Sequence, residues 1–120
     1  MTCGVISLQT KMRIKFLDNL GGRCYIEDFL SGLDEETHYK ISKKLEDFEL
    51  YDWQHLFRAE HIKKLEDNLH EIRVRIKKKC YRFLGWIDGE VFNVVHVYHK
   101  KTGKLPLKEI RTAKSRLNTD

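Results

Sequence analysis

Residues 69–77 alternate strictly, with Ile72, Val74 and Ile76 on one side of an extended chain and Glu71, Arg73, Arg75 and Lys77 on the other. The spacing predicts a strand with one buried face and one face carrying a row of charge. Lys78, Lys79, Cys80, Tyr81 and Arg82 follow at once, so these cations ride on a sheet rather than on a loose tail, an arrangement suited to RNA or DNA phosphate. Residues 11–16 show the same period of two, Met12, Ile14 and Phe16 against Lys11, Arg13 and Lys15. After the Gly21-Gly22 break, Tyr25, Ile26, Phe29 and Leu30 recur at helical spacing and predict a short helix over 23–31 that Gly32 ends. Asp34 is the expected N-cap of a second helix, with Glu35 and Glu36 in its first turn and Ile41, Leu45 and Phe48 as its buried stripe. The two helices form a hairpin that lies across a sheet, with their acidic residues in water.

Between 50 and 65 the apolar anchors Trp53, Leu56 and Phe57 follow no period, and the stretch is expected to be a loop holding a helical turn. Two further strands, 80–87 and 91–99, flank Asp88-Gly89, a hairpin signal whose type I′ turn requires positive φ at both central positions. Val91, Val94, Val95 and Val97 make the last strand apolar on both faces, as a central strand should be. Pro106 opens a final helix at the position where proline fits best. Leu107, Ile110, Ala113, Lys114 and Leu117 form its inner stripe, and Lys108, Arg111 and Arg116 are exposed. The order strand, helix, helix, three strands, helix defines an α/β (α+β) fold class with a small, mainly antiparallel sheet.

At 120 residues, 41% hydrophobic and 34% charged, the chain has the size and composition of one soluble globular domain, expected over 12–120 behind a flexible extension at 1–11. Charge divides unevenly: residues 1–60 hold 8 Lys/Arg against 11 Asp/Glu, and residues 61–120 hold 15 against 7. The basic half coincides with the predicted meander, which points the sheet toward a polyanion. Cys3, Cys24 and Cys80 are odd in number and lack paired spacing, so neither a disulfide framework nor a metal knuckle is expected, and a reducing cytoplasm fits. No apolar run is long enough to span a bilayer, and no membrane association, metal or cofactor is expected.

Leu65, then Leu69-His70-Glu71-Ile72-Arg73, Tyr81-Arg82-Phe83-Leu84, Val94-Val95-His96-Val97-Tyr98-His99-Lys100-Lys101 and Pro106-Leu107-Lys108-Glu109-Ile110 with Ala113 and Arg116 occur in an order and spacing that resembles the RelE/ParE-like toxin superfamily, in particular its HigB-like, phage-associated branch. The similarity covers about residues 12–117. The resemblance implies a RelE-like microbial RNase fold, a twisted sheet with two N-terminal helices on one face and a C-terminal helix. It also implies the toxin of a type II toxin–antitoxin pair: a metal-independent, ribosome-dependent mRNA endoribonuclease in which a ribose 2′-hydroxyl attacks the adjacent phosphate. Its implied partners are the ribosome, mRNA and a helix-turn-helix, HigA-like antitoxin, with operator DNA met only through that antitoxin.

Within this frame Arg73 and Arg82 are the candidate phosphate ligands, since guanidinium forks match phosphate oxygens and can neutralise charge developing in a pentavalent transition state. A salt bridge to Glu71 is the structural alternative for each. His99 is a candidate general acid or base, because imidazole titrates nearest neutral pH. The pair Tyr98-His99 resembles the tyrosine and histidine that relatives place near the scissile phosphate. Successive strand residues face opposite ways, so both can serve one site only if a bulge or the strand end re-aims one of them. Glu71 is either the base that activates the 2′-hydroxyl or an orienting partner of Arg73, and His96 belongs to core or surface. Arg75, Lys77, Lys78, Lys79, Lys100 and Lys101 are candidate RNA-backbone contacts. Tyr81 and Trp86 are either base-stacking platforms or core. Some relatives carry a catalytic tyrosine on the last helix, and this chain has none there. Two other functions compete: ParE-like inhibition of DNA gyrase, and RNA binding without catalysis.

Overall fold

The computed structural model describes residues 10–18, 21–100 and 107–117. These form β1 (Arg13–Phe16), α1 (Tyr25–Ser31), α2 (Glu35–Phe48), α3 (Trp53–Arg58), β2 (Ile62–Glu66), β3 (Leu69–Ile76), β4 (Lys79–Asp88), β5 (Val91–Lys100) and α4 (Leu107–Leu117). The strands make one sheet in the order β1-β5-β4-β3-β2, antiparallel except for β1, which runs parallel to β5. This mixed sheet with helices is the α+β, RelE-like arrangement expected from the sequence.

Three two-residue turns build the meander from β2 to β5, and each begins with a residue of positive φ: Asp67 at 47°, Lys77 at 58° and Gly89 at 61°. Two of them correct the sequence reading. Lys77 leaves the strand for left-handed backbone, so the alternating run ends at Ile76. In the last hairpin Asp88 pairs with Val91, so the turn residues are Gly89 and Glu90 and only the first has positive φ, the pattern of a type II′ rather than a type I′ turn.

Each sheet face has its own core. On one, Ile72, Val74, Ile76, Phe83 and Val94 meet Ile26 and Leu30 of α1, Ile41, Leu45 and Phe48 of α2, and Trp53 and Leu56 of α3. The α2 start is set by Asp34, whose carboxylate accepts the Thr37 N–H at 3.0 Å, and α1 stops at Gly32. On the other face Leu69, Leu84, Val95 and Tyr98 lie under Ile110 and Ala113 of α4. The face of β3 expected to be wet therefore belongs partly to a second core, and Glu71 is only 2% exposed. Arg116, expected in solvent, is half-buried and donates to the Val95 carbonyl at 3.0 Å.

The stretch 50–65 is regular rather than a loop. Asp52 caps α3 by accepting the His55 N–H at 2.8 Å, and β2 follows. A register shift between Lys64 and Glu66 breaks the alternation of β2, so its strand period is absent from the sequence. A second shift, where Leu84 pairs with His96 and Gly85 with Val94, leaves Val95 as an extra residue in β5. Pro106 and the expected extension, save Thr10 and Lys11, lie outside the described residues.

Candidate functional site

Cross-strand register puts Arg73 of β3, Arg82 of β4 and Tyr98 of β5 in one row across the sheet, and Glu71, Leu84 and His96 in the next row on the same face. Two guanidiniums directly opposite each other repel. Glu71 offsets this: one carboxylate oxygen, Oε1, accepts Arg73 Nε at 2.8 Å and Arg82 Nη1 at 2.5 Å. Arg82 is 8% exposed, so the cluster is held away from water, where charge-assisted hydrogen bonds are strong and an unmatched charge is costly. Arg82 Nε is buried and has no hydrogen-bond partner among the described residues. Buried N–H donors are almost always satisfied, so this one is an exception within the cluster.

Tyr98 lies across from Arg82 and is buried. Burial, then the nearby Glu71 charge, pushes its phenol up to about 12, so it keeps its proton at neutral pH.

Of the sequence candidates, Glu71, Arg73, Arg82 and Tyr98 thus come together. His99 does not. It pairs with Tyr81 across β5 and β4, its ring 5.3 Å from the Tyr81 ring, on the face that carries α1 and α2. The extra residue Val95 precedes both Tyr98 and His99, so ordinary alternation still separates them and the expected acid–base role of His99 beside Arg73 and Arg82 is corrected. Tyr81 is buried core rather than an open stacking platform, whereas Trp86 is half-buried against the α4-side core. Arg75, Lys77, Lys78 and Lys79 are exposed at the β3–β4 end, with the Lys77 ammonium 3.8 Å from Glu36. Lys101 and the Lys100 side chain lie outside the described residues.

Sequence reasoning missed the network beside the row. His96 Nε2 lies 2.6 Å from Glu109 Oε1, and Arg116 Nη1 is 2.9 Å from His96 Nδ1. A guanidinium only donates, so Nδ1 is the acceptor and Nε2 carries the proton given to Glu109. Burial, with Arg116 adding to it, holds His96 below the usual imidazole range even though Glu109 acts in the opposite sense. The Arg116 guanidinium also sits 3.8 Å over the Tyr25 ring. The signal was the seven-residue spacing of Glu109 and Arg116, which puts both on the inner side of one helix.

Among the described residues no three His, Cys, Asp or Glu side chains group as a metal ion would need, and no helix is long and apolar enough to cross a membrane. Cys24 and Cys80 are free thiols. No curated protein matches the chain significantly. The family model of the phage-derived Gp49-like proteins (DUF891) matches residues 28–118, and with the sheet, the helices and the arginine row in place the chain belongs to this toxin-like family related to RelE and HigB.

Proposed function

We propose that this protein is the HigB-like toxin of a type II toxin–antitoxin pair and cleaves mRNA on the ribosome. The observation that carries the reading is the buried row of Arg73, Arg82 and Tyr98 around Glu71, with one Arg82 donor unfilled. A phosphodiester entering beside this row meets the outer nitrogens of Arg73, with the Arg82 guanidinium directly across the strands. Both guanidiniums then stabilise the charge that grows on the non-bridging oxygens as the 2′-hydroxyl attacks. As the 2′-hydroxyl attacks, its proton passes to solvent water; Tyr98, protonated at neutral pH, gives its proton to the departing 5′-oxygen and regains one from solvent, and the products are a 2′,3′-cyclic phosphate and a 5′-hydroxyl. Glu71 orients the two forks; with Oε1 already accepting from both, this role suits it better than that of a base. The partner in this reading is a helix-turn-helix antitoxin encoded beside the toxin.

The test is induction of the chain alone and with the neighbouring reading frame, followed by mapping of mRNA 5′ ends. New ends that vanish on co-expression are expected. Arg82→Lys keeps the charge but loses Nε, and should lower cleavage by about 10²–10³-fold, the loss seen when one oxyanion donor is removed. Intact transcripts with normal growth count against the proposal.

One observation favours a second reading, RNA binding without catalysis: Arg73 and Arg82 already share a buried carboxylate, as structural arginines do. In that case Arg82→Lys alters RNA affinity while wild-type transcripts stay whole. Inhibition of gyrase supercoiling by the purified protein would instead favour the ParE-like alternative.

A further inference from the structure

Beyond the arginine row, the sheet edge opens into a cleft of about 250 Å³ lined by Lys44 of α2, His61, Arg73 and Arg75, with Phe48 beneath and the exposed Glu60 beside them. The cleft is built, not incidental. Glu60 takes left-handed backbone at φ 61°, His61 N–H donates to Leu56 at 2.9 Å, and the His61 carbonyl accepts the Arg73 N–H at 2.8 Å. The His61 ring stacks on Phe48 with centroids 4.7 Å apart. Arg73 thus touches Glu71 through Nε and also lines the cleft. A second depression of about 320 Å³ adjoins the first, because Lys44 and Arg75 line both; Lys40, Lys43, Lys77 and the exposed Tyr39 continue it along α2, with Asp47 as its carboxylate. Lys40, Lys43 and Lys77 have carboxylate neighbours in Glu36 and Glu46. Among the described residues, Lys44 and Arg75 form no ion pair.

We propose that the two clefts form one track for the sugar–phosphate backbone of single-stranded RNA, which leaves the arginine row at Arg73 and passes between Lys44 and Arg75 onto α2. The inference deepens the nuclease reading and rests on it for the identity of the polyanion. Unpaired cations on facing walls complement phosphate, and the first cleft is smaller than the roughly 300–1,000 Å³ of a drug-sized pocket, so it takes one nucleotide unit at a time rather than a duplex. His61 reports on occupancy. Burial lowers its pKa first, and His55, Lys44 and Arg75 lower it further, while Arg73 and Glu60 are the other charged groups lining the cleft. A phosphate between Lys44 and Arg75 offsets that cationic field and raises the His61 midpoint.

The experiment measures binding of a short 2′-O-methylated single-stranded oligoribonucleotide, which lacks the attacking hydroxyl, to the full chain over a salt series. Wild type is compared with the double variant Lys44→Gln/Arg75→Gln and with Lys44→Arg/Arg75→Lys. All are exposed positions, and an unchanged melting temperature verifies the fold. In the double Gln variant the slope of log affinity against log salt should flatten by about 1.4, two single-strand phosphate contacts at about 0.7 each. The charge-conserving variant should restore the slope, and the wild-type His61 midpoint, followed by NMR, should rise on adding RNA. An unaltered slope, or a His61 midpoint indifferent to RNA, overturns the track while cleavage at Arg82 stands. A track-dependent slope in a protein that leaves mRNA intact supports the track and sinks the nuclease reading.

Discussion

Glu71 is the residue on which the site turns, because two cations placed opposite each other by strand register are tolerable only with a shared anion between them. Removing one partner of such a group leaves an uncompensated charge in a dry place. Glu71→Ala, which leaves both guanidiniums without their anion, should therefore cost on the order of 3–5 kcal/mol in denaturant unfolding. A loss under about 1 kcal/mol, the range of a surface pair, would mean that water reaches Glu71 and that the cluster is not preorganised. The pairing of arginines with a carboxylate was legible from the sequence, since alternation puts Glu71 and Arg73 on one face and the resemblance supplied Arg82. Their burial was not, because it depends on how α4 covers that face: of the stripe expected there Ile110 and Ala113 are buried, whereas Leu107 and Lys114 are exposed. His99 shows the complementary error: the motif pointed to it, yet strand parity sends it to the opposite side of the sheet from its neighbour Tyr98.

Among the elements, those with a clean period were readable. α2 announces its cap and stripe, and β3, β4 and β5 announce their alternation and turns. β2 hides behind an irregular register, and α3 spans only Trp53–Arg58, too short for a helical period to repeat. The β5 bulge was equally silent, although Gly85 marks it after the fact. A Cβ built there would lie 1.9 Å from the Asn93 carbonyl oxygen, a backbone atom that cannot yield without disturbing the pairing. Gly85→Ala should destabilise by about 1–3 kcal/mol or more, read as a lowered melting temperature. A second prediction concerns α4. Ile110 is 6% exposed in the α4-side core, whereas the Lys114–Glu66 ion pair is about half exposed. Ile110→Ala should cost about 2–5 kcal/mol and Lys114→Ala less than about 1, both from urea unfolding. Equal losses would show that charge, rather than packing, seats the helix.

Across the whole molecule, three imidazoles share one tendency: burial, the largest cause in each case, lowers His61, His70 and His96 below the ordinary 6.5. Folding favours their neutral forms, so the stability they lend is complete above about pH 6.5 and drains away as pH falls through each depressed value. The melting temperature should decline on acidification from about pH 6.5 toward pH 5, before most carboxylates titrate. His96→Gln should shrink that decline, and a melting temperature flat over this interval would contradict the burial of these rings.

The outermost strand carries a consequence in time. β1 lies at the sheet margin with Arg13 opposite Val91 and Phe16 opposite Val94, so a segment made early in synthesis has no seat until β5 has been made. High contact order of this kind slows folding. As the chain leaves the ribosome, Ile14 and Phe16 have no strand to pair with until Phe92 and Val94 have been made.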